Sequence, residues 1–233
     1  MVGRLSIFAV APLVLLAMKI AGYRVRNIGD IRRKVRLLLD KHPGPWLVCA
    51  NHLTLIDSVI LLYAMMSIPR YLIRFDQMPW NVPELTNFNK NVFIRIVCYI
   101  SKCLPVQRGG DRGEVTAILR KCAYILENGG NLMIFPEGTR ARAGRVNTAD
   151  FPYGTGRLFL KTPGCRVMCM YLRGDGQNTY SNFPRFGETF TMEVEECFPK
   201  TTLRGLRAQR DCATQIVGHI AEMEKKYFAS RGK

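Results

Sequence analysis

The chain has 233 residues, 48% hydrophobic and 22% charged, which suits one α/β domain with a substantial core and excludes a disordered or low-complexity chain. Its 34 basic and 18 acidic residues give a formal net charge of +16, a field that favours an anionic membrane face, nucleic acid or small phosphorylated molecules. Eight cysteines, at 49, 98, 103, 122, 165, 169, 197 and 212, show no metal-ligand spacing, and several lie in apolar runs, so a disulfide scaffold and a metal site are not expected and a reducing compartment is.

Leu5 to Ile20 reads LSIFAVAPLVLLAMKI, with Arg4 before it and Lys19, Arg24 and Arg26 towards its end and beyond. It is short for a full span, which needs about 20 apolar residues. A secretory signal is opposed by the lack of an obvious small-residue cleavage site and by the basic residues that follow. A buried core helix is a third reading. The basic flanks favour a segment lying along or dipping into one leaflet of anionic lipid. Next, Ile31, Val35, Leu38 and Leu39 recur at helical spacing, with Arg32, Arg33 and Arg36 elsewhere around the helix and Asp30 as its cap. A core helix with a solvated basic face would give the same pattern. Together the two segments suggest a membrane-associating helix pair over residues 1–42, monotopic or single-span, on the cytoplasmic face. Residues 43–233 then form the α/β domain.

From Trp46, strand-like and helix-like runs alternate. Trp46–Ala50 is a continuous apolar run, as in a buried parallel strand. Asp57–Met66 reads as a helix closed by Pro69, Arg70–Phe75 as a strand, and Phe88–Cys103 as a helix. Glu114–Asn128 is an amphipathic helix stopped by Gly129-Gly130. Asn131–Phe135 and Arg166–Arg173 are strands. Thr189–Glu195 alternates, placing Phe190, Met192 and Val194 on one face of a half-exposed edge strand. Leu203–Ala229 is a closing helix, broken or capped along its length. The pattern indicates an α/β fold with a mixed, largely parallel central sheet flanked by helices.

In such a sheet, polar groups at the carboxyl ends of strands form the site. Three stretches qualify: Asn51-His52-Leu53-Thr54-Leu55-Ile56-Asp57, Val106-Gln107-Arg108, and Phe135-Pro136-Glu137-Gly138-Thr139-Arg140. On one helix, residues five apart diverge by about 140°. His52 and Asp57 therefore meet only if His52 lies in the strand-end turn and Asp57 folds back from the first helical turn. Asp57 would then fix the tautomer and leave the other ring nitrogen as a base. A polar cap, with Asn51 or Thr54 starting the helix and His52 incidental, accounts for the same residues. Arg108 and Arg140 converging on one crevice would hold a phosphate by charge-assisted forks, whereas either alone reads as a surface arginine. Glu137 suits orienting a substrate hydroxyl or an arginine, or simply a turn.

The blocks NHLTLID, PVQR and FPEGTR, in this order, resemble those of the glycerolipid acyltransferases, typified by 1-acylglycerol-3-phosphate acyltransferase. The resemblance runs from about Trp46 to Gly174, and the basic, apolar N-terminus is similar to that family's membrane-embedding helices. It implies transfer of an acyl group from acyl-CoA or acyl-carrier protein to a lysophospholipid hydroxyl, with no bound cofactor. His52 would be the general base and Asp57 its support. Arg108, Glu137, Gly138, Thr139 and Arg140 would bind the acceptor, the arginines facing its phosphate. Gly138 and N–H groups near the first helix are the donors available to an oxyanion. Four positions depart from the family pattern: Thr54 and Ala141 each stand where serine is common, Phe151-Pro152-Tyr153-Gly154 stands in place of a basic segment, and Cys169 stands where proline is usual. The third and fourth leave open another lyso-lipid acceptor, such as a lyso-amino-acid lipid. A nucleic-acid-binding module rests on charge alone: the basic residues are dispersed and no zinc finger, aromatic RNA-binding signature or basic zipper is present.

Overall fold

The structure, a computed structural model, describes residues 2–84, 92, 96, 98, 101–106 and 112–232. Most of the helix expected over Phe88–Cys103 lies outside these residues, as do Gln107 and Arg108.

The chain begins with α1 (Val2–Ile20), the two-residue strand β1 (Arg24–Val25) and α2 (Ile28–Lys41). The central strand β2 (Trp46–Ala50) leads to α3 (Asp57–Met65), α4 (Ile68–Ile73), a 3₁₀ turn at Phe75–Gln77 and β3 (Trp80–Asn81). Then come α5 (Arg112–Glu127), β4 (Leu132–Ile134), α6 (Gly154–Lys161), β5 (Arg166–Gly174), β6 (Thr189–Cys197) and α7 (Gly205–Ala229). The six strands form one sheet in the order β1-β6-β5-β2-β4-β3, and every pairing is parallel except β5–β6.

The pleat of the central strands divides the interior into two layers. Trp46, Val48 and Ala50 of β2, with Met168, Met170 and Leu172 of β5, face a core shared with α1, α2, α3 and α4. Leu47 and Cys49, with Val167, Cys169 and Tyr171, face a second core closed by α5, α6 and α7. On that side Gly156 lets α6 cross α7 closely: a Cβ there would lie 2.0 Å from the Gln209 carbonyl oxygen. All eight cysteines are free thiols, and seven of them are buried.

Several elements differ from the sequence reading. Arg70–Phe75 is not a strand. Pro69 sits in the first turn of α4, where its missing N–H and fixed φ are tolerated, so it opens a helix rather than merely closing the preceding one. α7 runs unbroken for 25 residues, its apolar side buried along the whole length despite Gly218. β6 buries Phe190, Met192 and Val194 as expected, but β1 pairs with it in parallel and takes the sheet edge. In α2, Asp30 lies inside the first turn, and the cap position is Asn27 in the left-handed region (φ 48°). Ile31, Val35 and Leu39 of α2 enter the first core, while Arg33, Lys34 and Arg36 stay exposed. α1 contains Pro12 and packs Ala11, Val14 and Met18 inward while Phe8, Leu13, Leu16 and Ile20 are exposed. Among the described residues no helix is long and apolar enough to cross a membrane.

Candidate active site

The central strand ends at Ala50, and Asn51 fixes the point of departure. Its side-chain amide donates to the Leu172 carbonyl (2.9 Å) and its oxygen accepts the Leu172 N–H (2.8 Å), pinning the turn to β5. The chain then folds back so that His52 Nδ1 lies 3.0 Å from Asp57 Oδ2. That oxygen also accepts the Leu53 and Thr54 N–H groups at 2.6 and 2.7 Å, and Oδ1 accepts the Thr54 hydroxyl at 2.5 Å. The helix-cap reading fails: Ile56 occupies the cap position of α3, and the Asn51 side chain is spent on β5. A carboxylate that accepts from Nδ1–H leaves Nε2 as the acceptor nitrogen of the ring, an arrangement that suits imidazole to general-base work. The ring stacks on Phe135, centroids 4.1 Å apart, and is 8% exposed.

Glu137 is buried, and both its oxygens are taken by backbone donors. Oε1 accepts the His52 N–H (3.1 Å) and Oε2 the Asn147 N–H (2.9 Å). It thus braces the His52 turn against the loop after β4 instead of presenting a carboxylate to a substrate hydroxyl. Burial pushes its carboxyl up to about 7, against the pull of the two N–H donors. Because the unfolded group titrates near 4.5, the folded state holds more protons between these values, and stability declines as pH rises across that window. Glu137→Gln is expected to remove this slope, and to lower stability below neutrality because one amide oxygen cannot accept both donors. Denaturant melts at about pH 5 and about pH 7.5 check this, and an unchanged slope in the variant would refute it.

In the same loop, Gly138 adopts φ +72° and a Cβ there would lie 2.7 Å from Pro152 Cγ, so the Phe-Pro-Tyr-Gly segment packs directly on the PEGTR turn. The Gly138 N–H donates to Phe135 O (3.0 Å), and those of Leu53 and Thr54 to Asp57, so none of the three is free to serve an oxyanion in this arrangement. Thr139 is exposed beside Arg140. Arg140 donates to Ser181 O (3.0 Å) and Asn182 Oδ1 (2.9 Å) and lies over the Tyr180 ring.

His52, Thr139 and Arg140 line one cavity of about 800 Å³, together with Arg142, Tyr180 and Phe183. Most of its remaining wall is apolar, with Val10 and Val14 of α1, Val59 and Leu62 of α3, and Met66, Phe75 and Met78, while Asn81, Glu84 and Ser101 also line it. The structure therefore brings together His52, Asp57, Glu137, Gly138, Thr139 and Arg140; Arg108 falls outside the described residues. The sequence reading missed Arg142, which stands only two residues beyond PEGTR, and the Tyr180–Asn182 cradle, about forty residues further on. It also missed Arg173, buried at the end of β5. Arg173 donates to Gly144 O and Gln177 O, both at 2.5 Å, with Glu224 3.7 Å away. Glu224 accepts the Val146 N–H (3.2 Å), so this pair secures the loop that carries Arg140 and Arg142. Cys169 faces the second core, on the other side of the sheet from the cavity, so its departure from the family pattern does not alter the cavity wall.

Residues 24–173, more than half of the chain, match the sequence profile of the Acyltransferase family. The chain belongs to that family. This acyltransferase also aligns with the crystal structure of PlsC, the 1-acyl-sn-glycerophosphate acyltransferase from Thermotoga maritima, at TM-score 0.48 and 15% identity, over 94% of this chain and 95% of that one. No curated protein matches it in sequence. The family match ends at Arg173, so the Tyr180–Asn182 cradle of the acyltransferase lies beyond it.

Proposed function

We propose that the enzyme moves a fatty acyl group from an acyl thioester, carried by coenzyme A or acyl-carrier protein, to the free hydroxyl of a lysophospholipid at the cytoplasmic face of an anionic membrane. The first-choice acceptor is 1-acyl-glycerol-3-phosphate, giving phosphatidic acid. The observation that carries this reading is a buried His–Asp pair at the polar end of a large apolar cavity, with Arg140 and Arg142 beside it. His52 Nε2 takes the acceptor proton as the hydroxyl oxygen attacks the thioester carbonyl. The tetrahedral intermediate then expels the thiolate, and the proton passes from the imidazolium to sulfur, so no bound cofactor is needed. Asp57 holds the ring and stabilises its charged form. The apolar walls suit an acyl chain, and the cavity size falls in the range of small-molecule sites.

Phe151-Pro152-Tyr153-Gly154, set against the PEGTR turn, favours a second reading in which the acceptor is a less anionic lyso-lipid. A panel of lysophospholipids and lyso-amino-acid lipids with one labelled acyl thioester separates the two. The first reading expects 1-acyl-glycerol-3-phosphate to give the fastest thiol release. In that case Arg140→Ala raises KM for it about ten- to a hundredfold, the scale of a lost charge-assisted contact, with kcat changed less. Thiol release with none of these acceptors would overturn both readings.

A further inference from the structure

The loop from Tyr180 to Gly187 is a bridge. On one side the Ser181 N–H donates to Leu53 O (3.0 Å) and the Leu55 N–H to Asn182 O (3.1 Å), which ties it to the catalytic turn. On the other the Gly187 N–H donates to Ala21 O (2.7 Å) and the Tyr23 hydroxyl to Pro184 O (2.9 Å), which ties it to the end of α1. Between these anchors Pro184 is buried, but Phe183 is 64% and Phe186 83% exposed. Large aromatic side chains left in water on a loop bolted down at both ends call for a partner surface. Phe183 also lines the cavity, and Ile20 at the tethered end of α1 is 70% exposed. Exposed cations accompany these apolar groups: Arg185 between the phenylalanines, Lys19 and Arg24 flanking the end of α1, and Arg142 at the cavity. Apolar side chains amid cations, on a protein of net charge +16, match the chemistry of an anionic bilayer.

We propose that the Tyr180–Gly187 loop is a lipid-contacting element in addition to α1. Phe183 and Phe186 enter the headgroup–acyl boundary of an anionic membrane beside the cavity mouth, so that the acceptor lipid passes from bilayer to His52 without crossing water. The proposal rests on the membrane-lipid reading above and adds to it a position for the entrance. Phe183 then serves both surfaces, touching lipid outside and the cavity within, and Arg140, stacked on Tyr180, meets the headgroup as it arrives.

Flotation of the full chain with vesicles of phosphatidylglycerol and phosphatidylcholine, against phosphatidylcholine alone, provides the test. The parent chain is expected to float with the anionic vesicles. Phe183→Ser/Phe186→Ser is expected to lose at least about tenfold in partitioning, since each phenylalanine withdraws substantial apolar area from water on insertion. A second variant, Phe186→Trp, guards against misfolding of the first. Its emission should shift to the blue on adding anionic vesicles and be quenched by brominated lipid. If the parent floats but the tryptophan neither shifts nor is quenched, the loop does not touch lipid and the proposal fails alone. If the parent itself does not bind, the membrane reading fails with it. Self-association through the loop would appear instead as concentration-dependent dimers abolished by the double substitution, with the parent indifferent to vesicles, and would likewise overturn the proposal.

Discussion

Replacing His52 by alanine is expected to slow acyl transfer by about 10²- to 10⁴-fold, the usual worth of a positioned general base, measured as acceptor-dependent thiol release. The variant should still fold, since the ring is held by one stacking partner and one hydrogen bond while the turn itself is held through backbone groups. Asp57→Asn tests the partner of that ring. The carboxylate accepts four donors: the imidazole, the Leu53 and Thr54 N–H groups and the Thr54 hydroxyl. An amide with its oxygen at the Oδ2 position keeps the imidazole and the two N–H donors, and its N–H₂ meets the Thr54 hydroxyl, which can rotate to accept. Activity should fall by about 10²- to 10⁴-fold because a neutral amide does not stabilise the imidazolium, while stability should change by no more than about 1 kcal/mol. Activity above about a tenth of the parent in a well-folded Asp57→Asn preparation would contradict a base that depends on this carboxylate.

The largest stability effect is expected at Arg173. Its guanidinium is buried, donates to two carbonyls and stands near Glu224. Arg173→Met leaves the Glu224 carboxylate buried without its cation, a change that costs about 3–5 kcal/mol in comparable settings. Thermal or denaturant melts should show this loss, and acceptor KM should rise because the loop carrying Arg140 and Arg142 is released. Arg173→Met/Glu224→Leu should recover part of the stability but not the KM, because the Val146 N–H loses its acceptor in the double variant. Recovery of both would mean that the ion pair has no part in placing the arginines.

The sheet was readable because continuous apolar runs such as Trp46–Ala50 have few other uses in a chain of this size. Arg70–Phe75 misled because Tyr71-Leu72-Ile73 is a short apolar run, which a strand and a helix share, whereas the informative residue was Pro69, placed to open a helix. At the site, His52 and Asp57 were legible: a spacing of five residues is awkward on one helix and natural across a strand-end turn. Glu137 could be placed but not oriented, since its partners are backbone donors of His52 and Asn147, which have no sequence signature. The cradle of Arg140 and the buried Arg173–Glu224 pair were hidden for a related reason: contacts about forty and fifty residues apart arise from topology, not from local pattern.

His52 is held by its peptide groups on both sides: Glu137 takes its N–H, and its carbonyl accepts the Ala141 N–H at 2.8 Å. Both partners belong to the loop that opens with PEGTR. That loop therefore acts as a splint on the His52 turn, restricting its backbone torsions. In the proposed mechanism, the entropy of aligning His52 with a hydroxyl and a thioester is then met largely during folding, not in each turnover. Ala141→Pro, which deletes the N–H that holds the His52 carbonyl and touches no reacting atom, should for that reason lower kcat more than it raises KM.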